Sequence, residues 1–146
     1  MTEPLISEIL IGLKTTTIKM DRVSDRLLYK KLGLTFSQFK IIIALKTKAN
    51  ATQSTIANFW NITEASVSRQ LNLLIKKKIV TKTKSKTDQR EYRLRLTTNG
   101  KSAVIKAVSL IDKTFEKILK PISENEKNNF IKTLLKFQNI IDNSNL

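Results

Sequence analysis

The sequence predicts a mainly α protein that carries one short β-hairpin between helical stretches. Three observations carry that prediction. Only 3 Gly and 2 Pro occur in 146 residues, so little in the chain breaks a helix. Apolar residues recur at three- and four-residue spacing along most of the length. In Glu91-Tyr92-Arg93-Leu94-Arg95-Leu96 they instead alternate with charged residues, which is the period of a half-buried strand.

From Leu5 to about Lys30, the residues Ile6, Ile9, Leu10, Leu13, Thr17, Met20, Val23 and Leu27 fall on one face of a long amphipathic helix. Gly33 suits its C-terminal end. Thr35 and Gln38 are spaced as a capping box. The helix they open carries Phe39, Ile42, Ile43 and Leu45 and fades between Lys46 and Asn50. Thr52 caps a short helix from Gln53 to about Trp60. Thr63 caps another from Glu64 to about Lys77, with Val67, Leu71, Leu74 and Ile75 on its buried face. Ile79 to Lys84 is the expected antiparallel partner of the alternating strand, and Ser85 to Arg90 is their polar connection. After Thr97 the helical period returns as a seam of Val104, Val108, Ile111, Phe115 and Ile118, ending before Pro121. Ser123 and Glu126 form a second capping box, opening a last helix with Phe130, Ile131, Leu134, Phe137 and Ile141.

Composition narrows the chemistry. Lys and Arg total 27 against 12 acidic residues, a formal net charge of +15. A polyanion is the natural partner of such a surface, although lysine excess also serves solubility. The chain has no Cys and no His, which removes disulfides, thiol nucleophiles and thiol switches, imidazole bases and the usual zinc ligands. No nucleophile–base pair stands out, so an enzyme is not expected, and neither is a cofactor. Apolar runs such as Ile41 to Leu45 are far too short to cross a bilayer. Glu3 and Glu8 interrupt the N-terminal apolar residues with no basic region before them, against a signal peptide. The cytoplasm is the expected location.

The run from Ile56 to Leu71 reads as a helix-turn-helix. Ala57 is small where two crossing helices approach, and Asn61 stands where the turn needs a left-handed residue. Ile62, Val67 and Leu71 then face the core, leaving Glu64, Ala65, Ser68, Arg69 and Asn72 outward. With the hairpin behind it, the arrangement is a winged helix-turn-helix. Such domains enter DNA grooves, and they also serve as protein-interaction modules without specific DNA binding. From Ala65 to Lys86 the basic residues are Arg69, Lys76, Lys77, Lys78, Lys82, Lys84 and Lys86, with no acidic residue among them. A generic solvated face mixes signs, so this segment favours DNA.

Here the chain resembles the MarR family of bacterial and archaeal regulators. The resemblance rests on Leu34-Thr35-Phe36-Ser37-Gln38, the helix-turn-helix, Lys76-Lys77-Lys78-Ile79-Val80, Asp88-Gln89-Arg90 and Leu96-Thr97-Thr98-Asn99-Gly100, in that order. Each piece is weak alone; the ordered set is specific. One departure is Lys78, where the family has Gly. A Lys in a left-handed backbone costs on the order of 1 kcal/mol, so a differently built helix end is expected here.

The resemblance implies three regions. Residues 1–33 form an N-terminal dimerisation helix, 34–100 the DNA-binding winged helix-turn-helix, and 101–146 C-terminal dimerisation helices. It implies a homodimeric, sequence-specific regulator of double-stranded DNA, a ligand-responsive repressor reading a pseudo-palindromic operator, with a small-molecule effector of unknown identity. Met20, Phe39, Trp60 and Phe115 are candidate effector contacts, although such residues more often belong to a core. The candidate DNA-binding residues are Thr63, Glu64, Ala65, Ser66, Ser68, Arg69, Asn72 and Lys76 at the second helix, with Lys84, Lys86, Asp88 and Arg90 in the wing. Arg90 matches the family's wing arginine, suited to a narrow minor groove. Asp88 is expected to hold its guanidinium by a charge-assisted bond.

Overall fold

The computed structural model describes the backbone of residues 2–48, 51–88 and 90–144. Its elements run α1 (Thr2–Leu32), α2 (Phe36–Thr47), α3 (Gln53–Trp60), α4 (Glu64–Lys76), β1 (Val80–Lys84), β2 (Tyr92–Leu96), α5 (Thr98–Ile118) and α6 (Glu124–Asp142). The chain divides into two compact units, Met1–Ile111 and Asp112–Leu146. No helix among the described residues is long and apolar enough to cross a membrane.

Local chemistry sets the helix boundaries. Thr35 and Gln38 close a reciprocal capping box at the start of α2, satisfying amide groups that a helix leaves unpaired. Thr52 does the same at α3 with Thr55 as its partner, and the Thr63 hydroxyl accepts from the Ser66 amide at α4. Gly33 takes φ +64 beyond the end of α1, and its amide bonds the Tyr29 carbonyl at 3.0 Å. The predicted fading of α2 toward Asn50 runs past the described residues, since the helix ends at Thr47.

In the first unit Ile41, Ile42, Ile56, Val67, Leu71, Leu74, Val80, Leu94 and Val104 build one buried core. The wing strands pair antiparallel, as expected, with Val80 opposite Leu96 and Lys84 opposite Tyr92. The Leu94 amide also reaches back to the Ala51 carbonyl at 3.0 Å, tying the wing to the segment before α3.

One sequence expectation needs correction. The Lys78 helix end is built in the usual way: Lys78 adopts φ +57. Its amide bonds the Ile75 carbonyl at 2.9 Å, and the Ile79 amide bonds that of Leu74 at 2.9 Å. This is the pattern that normally calls on glycine. The gain from two satisfied carbonyls and the buried Leu74 and Ile79 outweighs the strain of one Cβ. For α1, the apolar seam was expected to serve dimerisation and not this chain's own core. Its predicted apolar seam is not buried within the chain; Ile6, Leu10 and Met20 are 56%, 53% and 46% exposed. What α1 buries is a different line, Ser24 and Leu28, near its C-terminal end.

In the second unit Ser123 and Glu126 form the predicted capping box. The Ser123 hydroxyl and amide, both donating to the Glu126 carboxylate, hold its pKa below the ordinary value. Phe130, Ile131 and Ile141 on α6 remain 62%, 46% and 54% exposed. Leu134 and Phe137 are half-buried.

The start of α5 explains the Leu-Thr-x-x-Gly run. The Thr97 hydroxyl donates to the Lys78 carbonyl at 2.7 Å and accepts from the Gly100 amide at 2.9 Å. A Cβ on Gly100 would lie 2.1 Å from the Ile79 carbonyl oxygen, which is backbone and cannot yield cheaply. Gly100→Ala is expected to cost about 2 kcal/mol or more in a urea-unfolding measurement. Lys78→Gly, relieving the left-handed strain, should raise stability in the same assay by up to about 1 kcal/mol.

Candidate nucleic-acid interface

Helix α4 is amphipathic in a way that leaves one stripe free. Val67, Leu71 and Leu74 are buried, while Ala65, Arg69, Asn72 and Lys76 are exposed and Ser68 is half-buried. Positions 65, 68, 69, 72 and 76 follow the three- and four-residue spacing that puts them on one face. The short turn before α4 is held by Asn61 in the left-handed region at φ 51. There the Ile62 amide bonds the Ala57 carbonyl at 3.0 Å. Gln53 at the start of α3 donates to the Glu64 carbonyl at 3.0 Å, so the two helix starts are joined at the front of the domain. Thr63 is engaged as the cap and Ser66 is half-buried. Glu64 is exposed at the first turn.

The wing carries the remaining candidates. Lys82 and Lys84 pair across the hairpin with Leu94 and Tyr92, and the Lys82 ammonium lies 4.2 Å from the Tyr92 ring centroid, a cation–π contact. Lys86, Asp88 and Arg90 are exposed at the tip. Gln89, between Asp88 and Arg90, lies outside the described residues. Buried Ser85 organises the turn, its hydroxyl accepting from the Thr87 and Asp88 amides at 3.3 and 3.4 Å.

The expected Asp88–Arg90 side-chain pair is not formed. Asp88 Oδ1 accepts from the Arg90 backbone amide at 2.8 Å, and the Asp88 carbonyl accepts from the Glu91 amide at 3.1 Å. That is an Asx turn, in which a short carboxylate mimics the next backbone carbonyl. Asp88 therefore shapes the loop that presents Arg90 and leaves its guanidinium for other partners.

The starts of α3 and α4 and the wing enclose a cleft of about 260 Å³ lined by Gln53, Glu64, Lys82, Arg90, Glu91 and Tyr92 among others. The structure thus adds Lys82, Tyr92 and Gln53 to the candidate residues. Lys82 lay within the basic stretch; Tyr92 follows from the register; Gln53 carried no local signal. Lys77, in the same basic run but not among the candidates, is engaged elsewhere. Its ammonium bonds the Gly33 carbonyl and the Gln38 side chain, on the side of α1 and α2. Two suggested effector contacts have structural roles. The Trp60 indole donates to the Lys40 carbonyl at 2.7 Å, and Phe39 stacks on Phe36 at 5.8 Å.

Residues 32–91 match the family model described as MarR family. No curated protein matches the sequence. The fold is similar to that of the transcriptional regulator BldR from Sulfolobus solfataricus, with a TM-score of 0.85 at 16% identity, covering 95% of this chain and 98% of that one. A MarR/EmrR family transcriptional regulator from Acinetobacter sp. ADP1 gives 0.81 at 21% identity, covering 96% and 99%. A mutant MarR from E. coli complexed with operator DNA gives 0.73 at 22% identity, covering 89% and 96%.

The Asx turn makes a prediction that a guanidinium pair would not. Asp88→Asn should preserve protection of the Arg90 amide in hydrogen exchange, because the amide oxygen accepts equally well. Asp88→Ala should speed that exchange about five- to tenfold.

Proposed function

We propose, from the match of residues 32–91 to the MarR family model, that the chain is a cytoplasmic regulator that represses transcription by binding a pseudo-palindromic operator as a homodimer. The observation that supports this most is the exposed stripe of α4 set beside a basic wing, with no acidic residue from Ala65 to Lys86. An α-helix fits the major groove of B-DNA, and a wing beside it reaches the adjacent backbone and minor groove. In this reading Arg69, Ser68 and Asn72 meet base edges, and Glu64 accepts from a cytosine amino group. Lys76, Lys82, Lys84 and Lys86 neutralise phosphates, and Arg90 enters the minor groove. Thr63, Ala65, Ser66 and Asp88 set the backbone that presents them. The E. coli relative crystallised with operator DNA lends the reading its partner.

Dimerisation by residues 1–33 and 101–146 is supported by the uncovered apolar residues of α1 and α6. Contiguous exposed apolar surface on a single chain is the usual mark of an interface. Two copies of α4 on a dyad would read half-sites about 34–36 Å apart, one turn of DNA. An effector then acts by favouring a lobe spacing that no longer matches that distance.

Selection of bound sequences from a random duplex pool should return a pseudo-palindrome. Arg69→Ala is expected to change the selected bases, whereas Arg90→Ala should weaken binding by about tenfold. With six to ten phosphates neutralised, affinity should fall by about 10³ to 10⁵ between 50 and 200 mM salt. A chain that ignores the pool at modest ionic strength would instead be a winged-helix protein-interaction module.

A further inference from the structure

Along α2 and α3, four aromatic rings and two ammonium groups form one unbroken chain of contacts. Phe39 stacks on Phe36. The Lys40 ammonium lies over the Phe36 ring at 5.4 Å and over the Trp60 ring at 5.7 Å. Phe59 meets Trp60 edge to face, with centroids 5.1 Å apart, and the Lys48 ammonium lies over Phe59 at 5.8 Å. These are cation–π distances. The strip is open to solvent: Phe59 is 43% exposed, Lys48 is exposed, and Lys40, Phe36 and Trp60 are half-buried. Its charge has one sign. From Arg26 to Thr63 the sequence holds no acidic residue, and Asp25, just before, turns a carboxylate oxygen to the Phe36 amide.

We propose that this strip is a docking surface for an acidic segment of another protein, whose carboxylates meet Lys40 and Lys48 while an apolar side chain covers Phe59. Charge complementarity selects the partner. The rings beneath the two ammonium groups hold them in place, so a carboxylate pairs with them at little further cost in side-chain ordering. A single strand of nucleic acid fits less well. Its bases stack on open ring faces, and here ammonium groups lie over the rings of Phe36, Trp60 and Phe59. A row of phosphates alone would engage the lysines and leave Phe59 in water. The strip shares no residue with the outward stripe of α4 or with the wing. It goes beyond the regulator reading and stands whether or not the chain binds a duplex.

The test uses the full chain without duplex DNA and fluorescence polarisation of labelled probes. These are a short peptide alternating glutamate and leucine, its glutamine–leucine counterpart, a polyglutamate of equal charge and a single-stranded oligothymidine. The glutamate–leucine peptide should bind with a Kd below about 1 mM, and the other two peptides about fivefold more weakly. The double variant Lys40→Gln, Lys48→Gln should weaken it about fivefold. Phe59→Ala, at an exposed position, should weaken it about as much and leave polyglutamate unchanged. Lys101→Gln, Lys106→Gln removes the same charge from exposed positions on α5 and should change nothing. An equal loss in the α5 variant would overturn the proposal in favour of diffuse attraction by net charge. Tighter binding of oligothymidine, lost in the Lys40 and Lys48 variant, would overturn it in favour of a nucleic-acid surface. Trp60 is the chain's one tryptophan; emission that shifts with protein concentration in the absence of any probe would instead mark the strip as a contact between copies.

Discussion

The first unit depends on a crowded junction where α4 ends, the wing begins and α5 starts. Thr97 and Gly100 are at its centre. The Thr97 amide and hydroxyl both bond the Ile79 carbonyl, at 3.0 and 3.2 Å. The same hydroxyl caps the first turn of α5. Gly100 has no side chain because the Ile79 carbonyl already occupies the place one would take. The end of α4, the start of the wing and the start of α5 thus share one set of hydrogen bonds. The angle between recognition helix and hairpin is set there and not at the exposed tip.

Much of this was legible from the residues. Helix starts at Thr35, Thr52, Thr63 and Ser123 were readable because a capping hydroxyl acts within three residues of its partner. Asn61 was readable because few non-glycine residues accept its backbone angles. The antiparallel hairpin was readable from the alternation around Leu94, the buried residue of β2, although its register was not. These signals are local, and local chemistry suffices for them.

What was not legible is long-range or competitive. Lys77 belongs to the same positive run as Lys76 and Lys78, yet its ammonium reaches residues 44 and 39 positions earlier. No spacing rule contains that distance. Asp88 presented two acceptable partners, the guanidinium and the amide of one residue, and the nearby amide won because its geometry requires no ordering of a long side chain. Lys78 was misjudged because the cost of its backbone was visible in sequence, while the two carbonyls it satisfies were not. The face of α1 was found by its period, but a period does not tell what will cover it.

The corner between α1 and α2 joins the long arm to the domain it carries. Asp25 on α1 accepts from the Phe36 amide at 2.8 Å, and Lys77, just past α4, grips the carbonyl of Gly33 at the bend. The arm is therefore fastened at two points, one of them the tail of the helix that faces outward to read. The bend at Gly33 thus brings the C-terminal end of α1, the start of α2 and the residue that follows α4 to one corner.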